Sequence, residues 1–159
     1  MNKLSLTLSA IFLSISSFSA QPETRLDLSP AKWIWYPSER VLQNTFVLFR
    51  KEFDLEKQPA KATGWLLADS RYQLFVNGQR VQWGPAPSDP RRPEADPVEI
   101  AQYLKPGKNV IACQVLFFGV GEGTWPMGKP GFLFRLEIDG AKVATSCRRV
   151  FRCINSQRI

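Results

Sequence analysis

The sequence predicts an all-β protein, built as a two-sheet antiparallel β-sandwich of jelly-roll type. Roughly nine short apolar or alternating segments are separated by turn signals, which is typical of sandwiches. No segment sustains a helical apolar period long enough for a substantial helix. Between residues 72 and 83, Asn77-Gly78 separates two strand-like segments and suits a type I′ turn, because both turn positions need positive φ. An open barrel is the alternative architecture.

The first 20 residues are expected to be a secretory signal peptide. Lys3 is their only charge, and residues 4–18 form an apolar, serine-rich run that is too short for a convincing membrane span. A buried N-terminal helix is the alternative. We expect a linker at residues 21–31, the sandwich at 32–145, and an atypical basic tail at 146–159. The predicted location is therefore exported, periplasmic or extracellular, with no membrane association after the leader is removed.

The first predicted strands follow from alternation and β-branched or aromatic content. In residues 32–36, Trp33 and Trp35 share one face and are expected to pack in the core, since each buries a large apolar area. In the hairpin, Tyr72, Leu74 and Val76 should share a face that Val81 and Trp83 extend. The predicted strands up to the hairpin are residues 32–36, 45–55, 62–68, 72–76 and 79–83.

The later segments alternate with two long loops. Residues 109–118 are apolar on both alternations, which predicts a central strand covered on both faces. Residues 132–138 alternate cleanly, and Asp139-Gly140 turns them into a second hairpin ending at residue 145. Residues 84–96 hold four prolines and residues 119–131 hold five glycines, so both are loops where binding residues tend to lie. A solvated crossover between sheets is the alternative for the first loop.

Charge and cysteine usage exclude several function classes. The net charge is +7, but five of the 21 basic residues lie in the leader and tail, leaving 16 basic against 14 acidic residues. Nucleic acid is therefore not an expected partner. There is no histidine, which removes Ser-His and Cys-His nucleophiles and histidine metal sites, and no cofactor is predicted. Cys113 alternates with apolar neighbours and should be a core residue.

Four motifs then resemble a known family in their order and spacing. They are FRKEFDL at 49–55, RYQLFVNGQRV at 71–81, GPAPSD at 84–89 and YLKPGKNVIA at 103–112. Together they resemble the N-terminal jelly-roll domain of bacterial α-L-rhamnosidases, a galactose-binding-like sandwich, and the sugar-binding domain of the β-galactosidase family. The resemblance covers residues 33–138. It implies an accessory domain without catalytic residues, because hydrolysis in that family belongs to a separate helical barrel.

The favoured function is a secreted accessory or carbohydrate-binding domain that binds a plant-type or pectic glycan and derives from a truncated rhamnosidase-like hydrolase. The alternatives are a structural module that packs against a missing catalytic domain and a self-contained hydrolase. No pair of carboxylates is singled out by spacing, so this chain alone is not expected to be an enzyme. For each candidate, a rim aromatic or a solvated charge is the alternative interpretation. The candidate sugar contacts are Trp83, Asp89, Arg91, Arg92, Glu122 and Trp125.

The tail differs abruptly in composition from the rest of the chain. Residues 146–159 contain four arginines, two of the three cysteines and no acid. A solvated basic tail and a hairpin closed by a Cys147–Cys153 disulfide are two interpretations. The third is a truncated or frame-shifted reading frame, which predicts a poorly packed tail.

Overall fold

The computed structural model describes residues 26–37, 42–89, 91–121, 127–144 and 152–155. Two antiparallel sheets face each other, one with strand order β4-β3-β6-β1-β9 and one with order β5-β2-β7-β8. The predicted all-β sandwich is confirmed. The strands are β1 (Thr45–Leu55), β2 (Ala62–Asp69), β3 (Arg71–Val76), β4 (Gln79–Gly84), β5 (Asp96–Glu99), β6 (Gly107–Phe117), β7 (Gly131–Ile138), β8 (Ala141–Ala144) and β9 (Arg152–Asn155).

The core lies between the two sheets and is built from the inward alternation of each strand. From Thr45 to Phe49 in β1 and from Asn109 to Phe117 in β6 every second residue is buried, which is the period that a half-covered sheet imposes. Phe49 of β1 and Phe132 of β7 stack across the core with their ring centroids 4.5 Å apart. Each fully buried phenylalanine stabilises the fold by about 1.5–3 kcal/mol relative to an exposed one. These contacts join the two sheets through a single core.

The hairpin of β3 and β4 has the predicted turn but a different register. Asn77 and Gly78 have φ angles of 50° and 85°, so both turn positions are left-handed as expected. The pairing shifts by one residue after Phe75↔Arg80, so that Trp83 lies opposite Gln73. A one-residue shift moves every following side chain to the other face of the sheet. Trp83 is therefore on the outer face and 67% exposed, and its predicted place in the core is wrong.

A short 3-10 turn at Ala101–Tyr103 follows β5. Two other sequence predictions need correction. Residues 32–36 form only an isolated bridge, Ile34↔Phe132, and Trp33 is 40% exposed while Trp35 packs against Phe49. The central position of β6 is confirmed, but its outer face is only partly covered.

The second predicted hairpin has the expected turn, and a strand lies within the predicted tail. Asp139 and Gly140 have φ angles of 44° and 89°, as the second predicted hairpin requires. The backbone of β9, which lies within the predicted tail, pairs with β1 from Val47 to Arg50.

Cys113 is a buried free thiol whose pKa is raised by burial, so it is a core residue as predicted. Cys147 lies outside the described residues. Within the described part of the chain, no helix is long and apolar enough to cross a membrane.

Candidate carbohydrate site at the loop end

A cleft of about 600 Å³ opens at the end of the sandwich where the two predicted loops meet. Residues 84–96 contribute one wall, and residues 127–129, from the end of the glycine-rich loop, contribute another. The carboxyl-terminal end of β2 forms its floor. We call this feature the loop-end cleft. Its lining mixes apolar side chains with a few polar groups, the composition expected of a small-molecule site.

Trp33 forms the aromatic wall of the loop-end cleft. The bridge between Ile34 and Phe132 holds its segment against β7, with N–H···O distances of 2.9 and 2.8 Å in the two directions. The indole Nε1–H donates to the carbonyl oxygen of Pro130 at 3.1 Å. The ring lies directly over Gly131, where a Cβ atom would overlap it. Gly131 therefore allows the indole to lie against the start of β7 while 40% of the residue stays exposed.

Asp69 places a carboxylate on the floor of the cleft. It is the last residue of β2, and its Oδ1 accepts a hydrogen bond from the Ser70 hydroxyl at 2.8 Å. Ser70 Oγ in turn accepts from the Phe118 N–H at 3.1 Å, which ties the pair to the sheet. Burial raises the pKa of Asp69, while hydrogen bonds from Ser70 and the Lys129 backbone oppose that shift. A partly desolvated carboxylate in a cleft is a strong acceptor for hydroxyl groups.

Arg91 is held at the rim of the cleft by a bidentate ion pair with Asp89. The guanidinium Nε and Nη2 lie 3.0 and 2.7 Å from the two Asp89 carboxylate oxygens, and the Arg91 N–H donates to Oδ1 at 2.9 Å. These contacts lower the pKa of Asp89 to about 2. Because both side chains are exposed, the pair contributes little to stability. Its effect is to fix the conformation of the loop that carries Arg91.

The structure brings only part of the predicted site together. Arg91 lines the cleft, while Asp89 positions Arg91. The Arg92 N–H donates to the Asp89 carbonyl at 2.8 Å, and its side chain is not among the cleft-lining groups. Trp83 lies elsewhere, on the outer face of the five-stranded sheet. The predicted contacts at Glu122 and Trp125 lie outside the described residues.

Sequence reasoning missed Trp33, Asp69, Met127 and Lys129 as cleft residues. Asp69 had a detectable signal: it is a charged residue between a strand and the next strand-like segment, with almost no chain between them. The alternation of Trp33 with Trp35 predicts a core position in an ordinary strand, and this prediction is wrong because the segment forms only an isolated bridge. Met127 is 65% exposed and gives the cleft an adaptable apolar edge. Among the described residues, no three acidic or cysteine side chains form a group that suits a metal ion.

Comparison with solved structures shows the same architecture in glycosidases and lectins. A GH78 family rhamnosidase of Bacillus sp. GL1 is 36% identical with a TM-score of 0.72, over 79% of this chain and 13% of that enzyme. An α-L-rhamnosidase from Aspergillus terreus is 22% identical with a TM-score of 0.62, over 80% and 17% of the two chains. A Pleurotus ostreatus lectin is 24% identical with a TM-score of 0.59, over 82% and 36%. No family model and no curated protein sequence gives a significant match.

The chain is thus similar to a domain-sized part of α-L-rhamnosidases. The resemblance to these enzymes that the four motifs predict is confirmed by the 36% identical structure. The chain corresponds to only 13% of that enzyme, which indicates a non-catalytic domain. The lectin has the same fold. At the lower identities the likeness shows the fold alone. The fold does not fix the ligand, so function is argued from the cleft.

Proposed function

We propose that this chain is a carbohydrate-binding accessory domain that binds a saccharide in the loop-end cleft. The observation that carries the proposal is the pairing of an exposed indole, Trp33, with a partly buried carboxylate, Asp69, in one cleft. An indole offers a flat apolar surface for the C–H face of a sugar, and a carboxylate accepts from its hydroxyl groups. A structure of the Pleurotus ostreatus lectin in complex with GalNAc supports the same ligand class.

Three finer points belong to the proposal. The ligand is a plant-type or pectic glycan, and Trp125 contributes from the loop of residues 119–131. The protein acts outside the cytoplasm, as the leader-like residues 1–20 suggest. Cell fractionation with N-terminal sequencing tests export: a mature chain starting near residue 20 in the periplasm or medium is expected. A full-length chain in the cytoplasm contradicts it.

A glycan array followed by calorimetry tests the site. We expect Trp33→Ala and Asp69→Asn each to weaken binding of a neutral sugar at least tenfold, the effect of losing about 1.4 kcal/mol of contact energy. Trp125→Ala should weaken it as well. Leu42→Ala is the control, because it removes an exposed apolar side chain outside the cleft. Binding that survives Trp33→Ala and Asp69→Asn would place the sugar site elsewhere, and absence of any glycan binding would refute the function.

A further inference from the structure

The outer face of the five-stranded sheet carries a second, separate groove. It has a volume of about 430 Å³ and lies across β4, β3, β6 and the start of β1. A neighbouring groove of about 510 Å³ runs from the same place toward residues 85–87. Arg71 and Trp83 line both grooves, so the two are joined at the Trp83 side chain. We call the pair the sheet-face groove. It shares no lining residue with the loop-end cleft apart from Pro85.

Trp83 reaches this face because of the register shift in β4. Regular alternation after Phe75↔Arg80 would place Trp83 opposite Tyr72 and inside the core, but the bulge places it opposite Gln73. Its 67% exposure is the largest among the exposed large hydrophobic side chains of the described residues. Bulges often redirect a side chain next to a functional site. An indole that divides two open grooves presents surface to a ligand on both sides.

The polar groups around Trp83 have a definite pattern. Gln73 lies opposite Gln114 and Trp83 in the sheet, so two amides flank the indole on the same face. Arg71 and Arg80 line the first groove, and no acidic side chain lines it. Asp96 lines the second groove, but its Oδ2 already accepts a hydrogen bond from the Tyr72 hydroxyl at 2.6 Å. The groove therefore offers an apolar platform at Trp83, amide groups for hydroxyls, and the exposed guanidinium of Arg80.

We propose that the sheet-face groove binds a carboxylated polysaccharide, with a sugar ring on Trp83 and a uronate carboxylate at Arg80. Guanidinium groups bind carboxylates through charge-assisted, often bidentate hydrogen bonds, which predicts a preference for an acidic sugar over a neutral one. Two grooves joined end to end at one indole suit a run of sugars rather than a single ring. The site does not depend on the loop-end cleft and would stand if that cleft bound nothing.

Calorimetry with an oligogalacturonate and its fully methyl-esterified counterpart tests the proposal on the intact protein. The two probes share their sugar backbone and differ in charge. We expect the acidic oligomer to bind, and the ester to bind at least tenfold more weakly. Trp83→Ala and Arg80→Gln should each weaken binding of the acid about tenfold or more, as expected for a stacked ring and a charged hydrogen bond. Both residues are exposed, so both variants should fold.

A charge control makes the result specific. Arg50→Gln removes the same charge from an exposed position on β1 outside the groove. This variant should not change binding of the acidic oligomer. The proposal is overturned if the acid does not bind, if acid and ester bind equally, or if Arg50→Gln weakens binding as much as Arg80→Gln. Loss of binding in Trp33→Ala with retention in Trp83→Ala would also overturn it.

Discussion

At the scale of single residues, Asp69 combines a cost to stability at neutral pH with the binding role proposed for it. Because burial raises its pKa, the folded state holds the Asp69 proton more tightly than the unfolded state does. Asp69 thus favours folding most at low pH. That contribution is lost as pH rises from the ordinary carboxyl pKa of about 3.8 through the raised folded pKa. A group that lowers stability at neutral pH is expected at a functional site more than in a structural role.

The Asp69→Asn variant should separate the two effects. An asparagine oxygen can still accept from Ser70, and the desolvated charge is gone, so we expect equal or higher stability at pH 7. Sugar binding should fall, and wild-type binding should weaken as the pH drops through the raised pKa of Asp69. Denaturant unfolding between pH 3 and pH 8, with calorimetry at the same pH values, checks both. Lower stability of Asp69→Asn at pH 7, with normal binding, would show a structural role instead.

At the scale of secondary-structure elements, two turns hold each other in place. The Asn77 Nδ2 donates to the Asn109 Oδ1 at 2.9 Å, and the Val110 N–H donates to the Asn77 Oδ1 at 2.9 Å. Asn109 is fully buried and also donates to the carbonyls of Lys105 and Gly107 at 2.7 and 2.9 Å. The NG and KPGKN segments, which look like independent turn signals in the sequence, are thus one hydrogen-bonded unit.

Gly78 is a position in this unit where a substitution would strain the backbone. A Cβ at Gly78 would meet no atom within 4 Å, so any cost comes from its φ of 85° and not from crowding. We expect Gly78→Val to lower the free energy of unfolding by about 1–2 kcal/mol, the strain of a left-handed β-branched residue. Gly78→Asn, which tolerates this conformation, should cost less. Equal denaturant midpoints for glycine and valine would contradict the assignment of the strain.

The elements also show which features are readable from sequence. The strands follow from the alternation of apolar and polar residues. Both hairpin turns follow from Asn77-Gly78 and Asp139-Gly140, because these residue pairs tolerate the positive φ angles of a tight turn. The bulge in β4 does not, because no glycine marks it and the shift depends on pairing with β3. The loop-end cleft was only partly predictable for a similar reason. The loop bearing Arg91 is visible in composition, but Trp33 and Asp69 reach the cleft through contacts between distant segments.

At the scale of the whole molecule, β9 covers one edge of the five-stranded sheet. It pairs with Val47–Arg50 of β1, and β4 forms the opposite edge. Deleting residues 146–159 should leave β1 as an unpaired edge and promote association between chains, because open strand edges pair with one another. Deleting only residues 156–159 keeps β9 and is the matched control. Light scattering across a concentration series is the measurement, and two equally monomeric variants would show that β9 protects nothing.

The extra residue in β4 gives the sandwich a tolerance that its other strands lack. Between Arg80 and Trp83, β4 contains one residue more than the facing segment of β3. A chain shortened by one residue at this point would still pair Trp83 with Gln73 and Gly84 with Tyr72, now without a bulge. The same deletion in β1 or β6 would reverse the faces of a long strand and turn core side chains toward water. Length variation is thus permitted beside Trp83 and forbidden in the strands that hold the core.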